Sequence, residues 1–466
     1  MTKDQDKRAL FEETPIRKAL LTMAVPTVIS QLINLIYNIV DAFFIGRTGN
    51  PYMAAATTLA LTLVMLNVAL SNLYGVGGGS LVARLMGAKK DEEARKVSAF
   101  TVYCSIATSV ACSLILFLTL RPLLHFLGAS EDTIDYASQY AMIVMVFGGL
   151  PSLMSAVFAY LLRNAGYSDK ASIGLSGGGI LNVILDPLLM FVILPSGYEV
   201  LGAAIATLIS NIASCVYLMF TYMRAGRNAP LSLNIREAKA VTGDSVKQLF
   251  SVGIPSAVLT GLFDLANICL NMLASAHSDF VLAGMGIVMK VERVPNAVNL
   301  GICHGALPII AYNCTSGNRD RMMKTIRLAR IWGLVVSAVS IVLFVLFATP
   351  VTKIFMDTNS GQAAVETIAF AALFLRIRCL ASPFQFINYH SSYSMQAMGK
   401  GRATIIHAMV RELVFYIPFL FILDRFFGET GLASALVAGE FCGAIFALWM
   451  LRRQLKPKNE QSEIKV

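Results

Sequence analysis

The chain has 466 residues, of which 56% are hydrophobic and only 14% charged, with a formal net charge of +10. Soluble domains carry about 25% charged residues, so this composition excludes a water-soluble enzyme, a disordered chain and a small disulfide scaffold. A spanning helix needs about twenty mainly apolar residues, and the apolar share supplies roughly a dozen.

In chain order, a polar N-terminus of mixed charge (Met1 to Leu20) shows no cleavable signal segment. The apolar runs then predict twelve helices, at 17–46, 53–83, 97–120, 138–162, 171–194, 200–222, 248–276, 280–311, 328–348, 366–396, 404–423 and 431–451. The expected fold is an all-α polytopic membrane protein. Pro26, Pro151, Pro187, Pro255, Pro295, Pro308, Pro383 and Pro418 fall inside these runs. Lipid tolerates them where neighbouring helices satisfy the freed carbonyl. The eight cysteines, from Cys104 to Cys442, sit almost entirely in apolar runs and read as small buried hydrophobes.

Twelve crossings place both termini on one side. Twenty-nine lysines and arginines fall in the two tails and in the loops of that side, among them Arg84, Arg163, Arg321 and Arg330. Only Arg47, Arg121, Lys353 and Arg425 fall on the other. That bias predicts cytoplasmic termini. It also assigns the +10 to the membrane face, so no nucleic-acid partner is expected; the lipid bilayer is.

The halves repeat with an offset near 229: Pro26 returns as Pro255, Arg121-Pro122 as Thr349-Pro350, and Leu201-Gly-Ala-Ala-Ile-Ala206 as Thr430-Gly-Leu-Ala-Ser-Ala435. Six helices per repeat give parallel halves, an arrangement that encloses a site at the mutual interface in secondary transporters. The expected organisation is a six-helix bundle at 1–222, a connector at 223–247, a second bundle at 248–451 and a tail at 452–466, with a central cavity between the bundles.

Polar residues within spans are costly and so carry information. The first helix carries Gln31, Asn34, Asn38 and Asp41 at helical spacing, with Tyr37 beside them. The seventh carries Thr260, Asp264, Asn267 and Asn271, and the tenth Gln385, Asn388, Ser392 and Gln396. Such stripes read either as interhelical hydrogen-bond glue or as the wall of a hydrated substrate cavity; the acids favour the cavity. Asn182 and Asp186 are one turn apart in the fifth helix, and Thr207 opens the sixth. With Asp41 they make an all-oxygen set suited to Na⁺ or to a shared proton. In the second half, Lys290, Glu292, Arg293, Arg376, Arg378, Arg411, Glu412 and Glu440 read as a cluster of ion pairs, and His390 as a hydrogen-bonded interior histidine.

These residues carry a resemblance. Ala24-Val25-Pro26, Asp41-Ala-Phe-Phe-Ile-Gly46, Gly78 to Ala88, Leu162-Arg-Asn-Ala-Gly166, Asn182-Val-Ile-Leu-Asp186, Leu201 to Thr207 and Tyr312-Asn313 together resemble the multidrug and toxic compound extrusion (MATE) family. The likeness is strongest to its DinF-like branch and the MepA-like bacterial drug exporters within it. The resemblance implies two six-helix bundles around a central cavity, in a bacterial cytoplasmic membrane. It implies export of small, amphipathic, mostly cationic compounds in exchange for H⁺ or Na⁺, by a protein that is no enzyme, needs no other cofactor and functions as a monomer. It places the coupling cation at Asp41, Asn182, Asp186 and Thr207, and associates Pro26 with bending of the first helix. Asn313 is followed by Cys-Thr-Ser where the family has Tyr-Gly-Ala, and the tenth helix lacks an acid in its polar stretch. The competing reading is a flippase for a lipid-linked precursor or oligosaccharide, which needs cations in the cleft to meet an anionic cargo.

Overall fold

A computed structural model describes residues 3–355 and 362–456; of the expected tail, residues 457–466, with Lys458 and Lys465, lie outside the described residues. A short helix α1 (Lys3–Glu12) precedes the first bundle: α2 (Ile16–Arg47), α3 (Pro51–Gly87), α4 (Asp91–Phe126), α5 (Glu131–Ala141), α6 (Gly149–Asn164), α7 (Ser168–Leu188) and α8 (Glu199–Ala225). The connector forms α9 (Ile235–Lys239). The second bundle comprises α10 (Gly243–His277), α11 (Asp279–Thr315), α12 (Arg319–Lys353), α13 (Gln362–Arg378), α14 (Ser382–Ala397), α15 (Gly401–Met409) and α16 (Ile417–Leu455).

Twelve spans emerge among the described residues. Nine helices are long and apolar enough to cross a bilayer. One of them, Gly401–Leu455, is two arms that reverse at Gly428, whose φ of +56° is open to glycine and strained for other residues. α5 and α6 form a further span bent by 47° around a π-helical stretch, Met142–Phe147. The twelfth is α13 with α14, two pieces of 17 and 16 residues, each too short to span alone, joined through the 3-10 turn Cys379–Ala381. Large exposed apolar residues such as Leu114, Phe117, Leu118, Val192 and Leu346 form the belt that faces lipid.

Helices run further beyond the apolar runs than sequence suggests on the face that bears the termini. α4 begins at Asp91, α10 at Gly243 and α12 at Arg319, the last two capped by Thr242 and Asn318, whose side chains accept from Ser245 N and Arg321 N. Arg84, Arg163, Arg321 and Arg330, read from sequence as loop cations, therefore lie within helices. The reason is that a helix can extend past the lipid as an amphipathic turn, which hydropathy does not detect.

The bundles repeat the same packing: α2 lies against α7 and against α11 of the opposite half, while α3 lies against α10. The apolar core then divides in a telling way. Near the terminal face one core is shared, drawing Leu20, Met23 and Leu81 from the first half and Leu249, Val252 and Leu307 from the second. Toward the opposite face there are two separate cores, one around Ala56, Leu120 and Met145, the other around Leu270, Phe374 and Leu436. The molecule is closed at the terminal face and parted at the other.

Candidate functional site

Three helices of the first bundle converge on the acids. α2 supplies Asp41, α7 supplies Asn182 and Asp186, and α8 supplies Thr207. α7 and α8 can meet this closely because position 178 is glycine: a Cβ there would sit 1.9 Å from Ser214 Oγ. Asn182 Nδ2 donates to Asp186 Oδ1 at 3.1 Å and reaches Thr207 Oγ1 at 3.4 Å. Asp186 and Asn182 are fully buried, and Asp41 is half-buried. Tyr37 and Tyr140 lie within electrostatic reach of both carboxylates, and Tyr140 shares a hydrogen bond with Thr207.

The polar accounting does not close. Asp41 Oδ1, Asp186 Oδ2 and Asn182 Oδ1 are all buried acceptors with no hydrogen-bond partner. Buried acceptors are nearly always satisfied, and a buried carboxylate is costly without a compensating charge. Neither acid forms an ion pair among the described residues. No group of three or more His, Cys, Asp or Glu occurs there either. The donor set is thus two carboxylates, an amide oxygen and a hydroxyl, which fits a proton or a hard monovalent cation.

Asn182 and Thr207 also line a cavity of about 420 Å³, so the acid cluster adjoins it, with Asp41 and Asp186 behind that lining. Gln31, Asn34, Tyr37 and Asn38 of α2 line the same cavity. α2 continues as one helix through Pro26, with no break recorded at that residue. The cavity is lopsided: among the described residues the second half contributes only Leu300, His304 and Tyr393. His304 pairs with the Tyr393 hydroxyl at 2.9 Å, and the Arg163 guanidinium stacks on Tyr160 at 5.7 Å.

The second-half residues expected on the cavity wall lie elsewhere. Gln385 and Asn388 are buried inside the second bundle, where Asn388 donates to Glu440 Oε2 at 2.6 Å and accepts from His407. The stripe on α14 faces α16, not the cleft. Thr260 accepts a hydrogen bond from Asn72 at 2.9 Å, joining the two bundles; Asp264 and Asn267 are half-buried and Asn271 is exposed. None of these four lines the 420 Å³ cavity, because the first part of α10 packs on α3 and leaves only the Thr260 contact near its rim. The expected cluster of ion pairs forms only in part: Arg378 pairs with Glu292 and Arg411 with Glu440, with Glu412 at 3.5 Å, while Lys290, Arg293 and Arg376 join no ion pair among the described residues. His390 is buried, with Nε2 at 2.9 Å from the Ile326 carbonyl.

Several residues of the site gave no sequence signal. Tyr140 and Tyr160 are aromatic residues among many in apolar runs, and Arg163 reads as a loop cation. His304 and Tyr393 lie in the other half of the chain, and only tertiary contact joins them.

Comparison with known proteins gives a consistent outcome. The family model described as MatE matches residues 26–188 and 255–422. A Multidrug export protein MepA of Staphylococcus haemolyticus is 30% identical over 96% of both chains. Its counterpart in Staphylococcus saprophyticus is 29% identical, also over 96% of both. A solved MATE structure in complex with MaL6 superposes with a TM-score of 0.90 at 22% identity, covering 96% of this chain and 98% of that one.

Proposed function

The chain belongs to the MatE family, and from that premise we propose that it is a multidrug efflux transporter. In this reading it is an antiporter that exports amphipathic, mostly cationic compounds in exchange for H⁺ or Na⁺. It works as a monomer in a bacterial cytoplasmic membrane, with both termini in the cytoplasm, and performs no chemical conversion.

The observation that carries this reading is the trio of buried, unpartnered oxygens on Asp41, Asn182 and Asp186, beside the cavity that Asn182 itself lines. A proton or Na⁺ arriving from the parted face neutralises the acids and lowers their attraction for an organic cation in the cavity. Release of that ion on the cytoplasmic side restores the attraction. Ion and cargo then oppose one another's binding, and linkage makes that opposition reciprocal. The shared core on one face and the two separate cores on the other support an outward-open state. Bending of α2 at Pro26 would carry Asn34, Tyr37 and Asp41 relative to α7 as the acids change charge.

The flippase reading needs free guanidinium groups in the cleft. Arg378 and Arg411 are committed to buried ion pairs, and Arg163, the one arginine that lines the cavity among the described residues, shares it with two adjoining acids, which weighs against that reading.

The test is Asp41→Asn in dye-loaded cells. Efflux is expected to stop while the protein remains in the membrane at wild-type abundance; efflux at the normal rate refutes the coupling role. In vesicles, a sodium gradient imposed at constant pH separates Na⁺ from H⁺.

A further inference from the structure

The second bundle contains its own buried charge imbalance, remote in sequence from Asp41 and Asp186. Between α15 and α16 the chain is π-helical from Val410 to Tyr416, a geometry frequently found at functional sites. This stretch turns two consecutive side chains, Arg411 and Glu412, into the bundle interior, where they are 2% and 1% exposed. Arg411 is fully engaged. Its Nε and Nη2 reach Glu440 at 3.0 and 2.5 Å, and its guanidinium lies over the Tyr389 ring at 4.8 Å. Glu440 also accepts from Asn388, which leads through His407 to Ser392. Every member of that chain has partners.

Glu412 does not. Both of its carboxyl oxygens are buried without a hydrogen-bond partner, and Arg411 Nη1 approaches only to 3.5 Å. The charges that act on Glu412 are Arg411, attractive, and Glu440, repulsive. Tyr416, one turn on, is held by Arg378, which is itself paired with Glu292. One cation therefore faces two carboxylates in the buried interior of the bundle, and the cation is spent on Glu440. An ionised carboxylate with no donor in such a place is among the costliest arrangements in a folded protein. A proton on His407 would balance the sum but leave the Glu412 oxygens just as bare; His407 already bonds Ser392 and Asn388 through its two ring nitrogens.

We propose that the second bundle holds a proton-binding site of its own at Glu412, set by the triad Arg411–Glu412–Glu440 and separate from the acid cluster of the first bundle. The ligand is a proton and not a metal ion, since the oxygens around Glu412 are too few to coordinate one. The use of this proton in transport rests on the antiport reading; its presence on Glu412 does not.

Infrared difference spectroscopy of the purified full-length protein, comparing wild type with Glu412→Gln at neutral pH, tests the proposal. Glutamine is isosteric with a protonated glutamate, so the variant is expected to fold with undiminished thermal stability. The difference spectrum is expected to contain the carbonyl stretch of a carboxylic acid, sensitive to exchange into heavy water. A carboxylate stretch in its place overturns the proposal, as does a band that added Na⁺ abolishes at constant pH. Glu440→Gln supplies the independent check, because it frees Arg411 for Glu412. The carbonyl band is expected to be lost although Glu412 is still present, and its persistence overturns the charge argument. If Asp41→Asn leaves efflux intact, antiport at the first bundle fails while this band is untouched; an ionised Glu412 does the reverse.

Discussion

Gly253 of α10 lies directly beneath the backbone of Leu73 in α3: a Cβ at 253 would stand 2.1 Å from the Leu73 carbonyl oxygen. The pseudo-symmetric crossing repeats the device, since a Cβ at Gly305 of α11 would meet Ala24 Cα of α2 at 2.5 Å. Both crossings lie within the shared core, so backbone contact between the bundles is what closes the terminal face. Gly253→Val inserts a branched side chain into that contact. Overpacking of this kind costs about 1–3 kcal/mol, which displaces the equilibrium between closed and open terminal faces by roughly 5- to 150-fold. Thiol labelling of Ala24→Cys from the terminal side is expected to accelerate accordingly in the Gly253→Val background. An unchanged labelling rate would show that the crossing does not govern closure.

The Arg378–Glu292 pair makes two hydrogen bonds, at 3.0 and 2.9 Å, with side chains only 4% and 12% exposed. Removing one partner strands the other as an uncompensated charge, which costs about 3–5 kcal/mol. Replacing both with apolar groups removes the problem together with the pair. Arg378→Met is therefore expected to lower the thermal midpoint in detergent substantially, and the double variant Arg378→Met with Glu292→Leu to regain most of the loss. If the double variant is as unstable as the single, the pair is not held together by charge compensation.

The acid cluster was legible in the sequence because charges in apolar runs are conspicuous and because four-residue spacing fixes Asn182 and Asp186 on one helix face. The structure brings Asp41 and Thr207 to that face. Spacing does not say which neighbour a stripe meets. The α14 stripe of Gln385 and Asn388 looks like the α2 stripe on paper, yet it faces Glu440 inside its own bundle. Arg163 was illegible for a different reason. Hydropathy locates where lipid ends, not where a helix ends, so a cation one residue past the apolar run looks like a loop residue while lining a cavity. The reversal at Gly428 falls in the gap at 424–430 that the apolar runs leave, whereas the π-helical stretch at 410–416 lies inside the 404–423 run and leaves no periodic signal.

The connector carries a pH dependence. α9 is fastened to α4 by Glu237, which accepts from Arg95 at 3.1 Å, while Tyr103 donates to the Leu233 carbonyl. Partial burial alone would raise the Glu237 carboxyl, but hydrogen bonds from Ser232 and Arg95 and the Arg95 charge outweigh it and hold it below its ordinary value. A depressed carboxyl adds stability to the docked state above its ordinary value and loses it as pH falls through the depressed one. Amide exchange across 232–240 is therefore expected to quicken on acidification below the normal glutamate range, and Arg95→Ala to weaken that dependence, leaving the share that Ser232 supplies. Exchange that ignores pH in the wild type would remove Glu237 from the fastening.

Phe11 of α1 is completely buried and stacks on Tyr312 of α11, with ring centroids 5.0 Å apart. Around it, the Phe11 carbonyl accepts from Asn313 at 3.2 Å, Tyr312 donates to Glu12, and Arg321 donates to the carbonyls of Leu10 and Thr14. Arg8 pairs with Asp91, at the start of α4 in the other bundle. α1 is thus tied to both halves across the face that closes, and these contacts cannot all survive if the halves separate there. Deleting a buried phenyl ring costs about 3–5 kcal/mol, and this ring supplies the apolar part of the tie. Phe11→Ala is expected to free α1 and favour separation of the terminal face, seen as growth of the longer component in spin-label distances between Lys89→Cys and Ser316→Cys. A distribution identical to that of the wild type would mean that α1 rides on the second bundle without restraining the first.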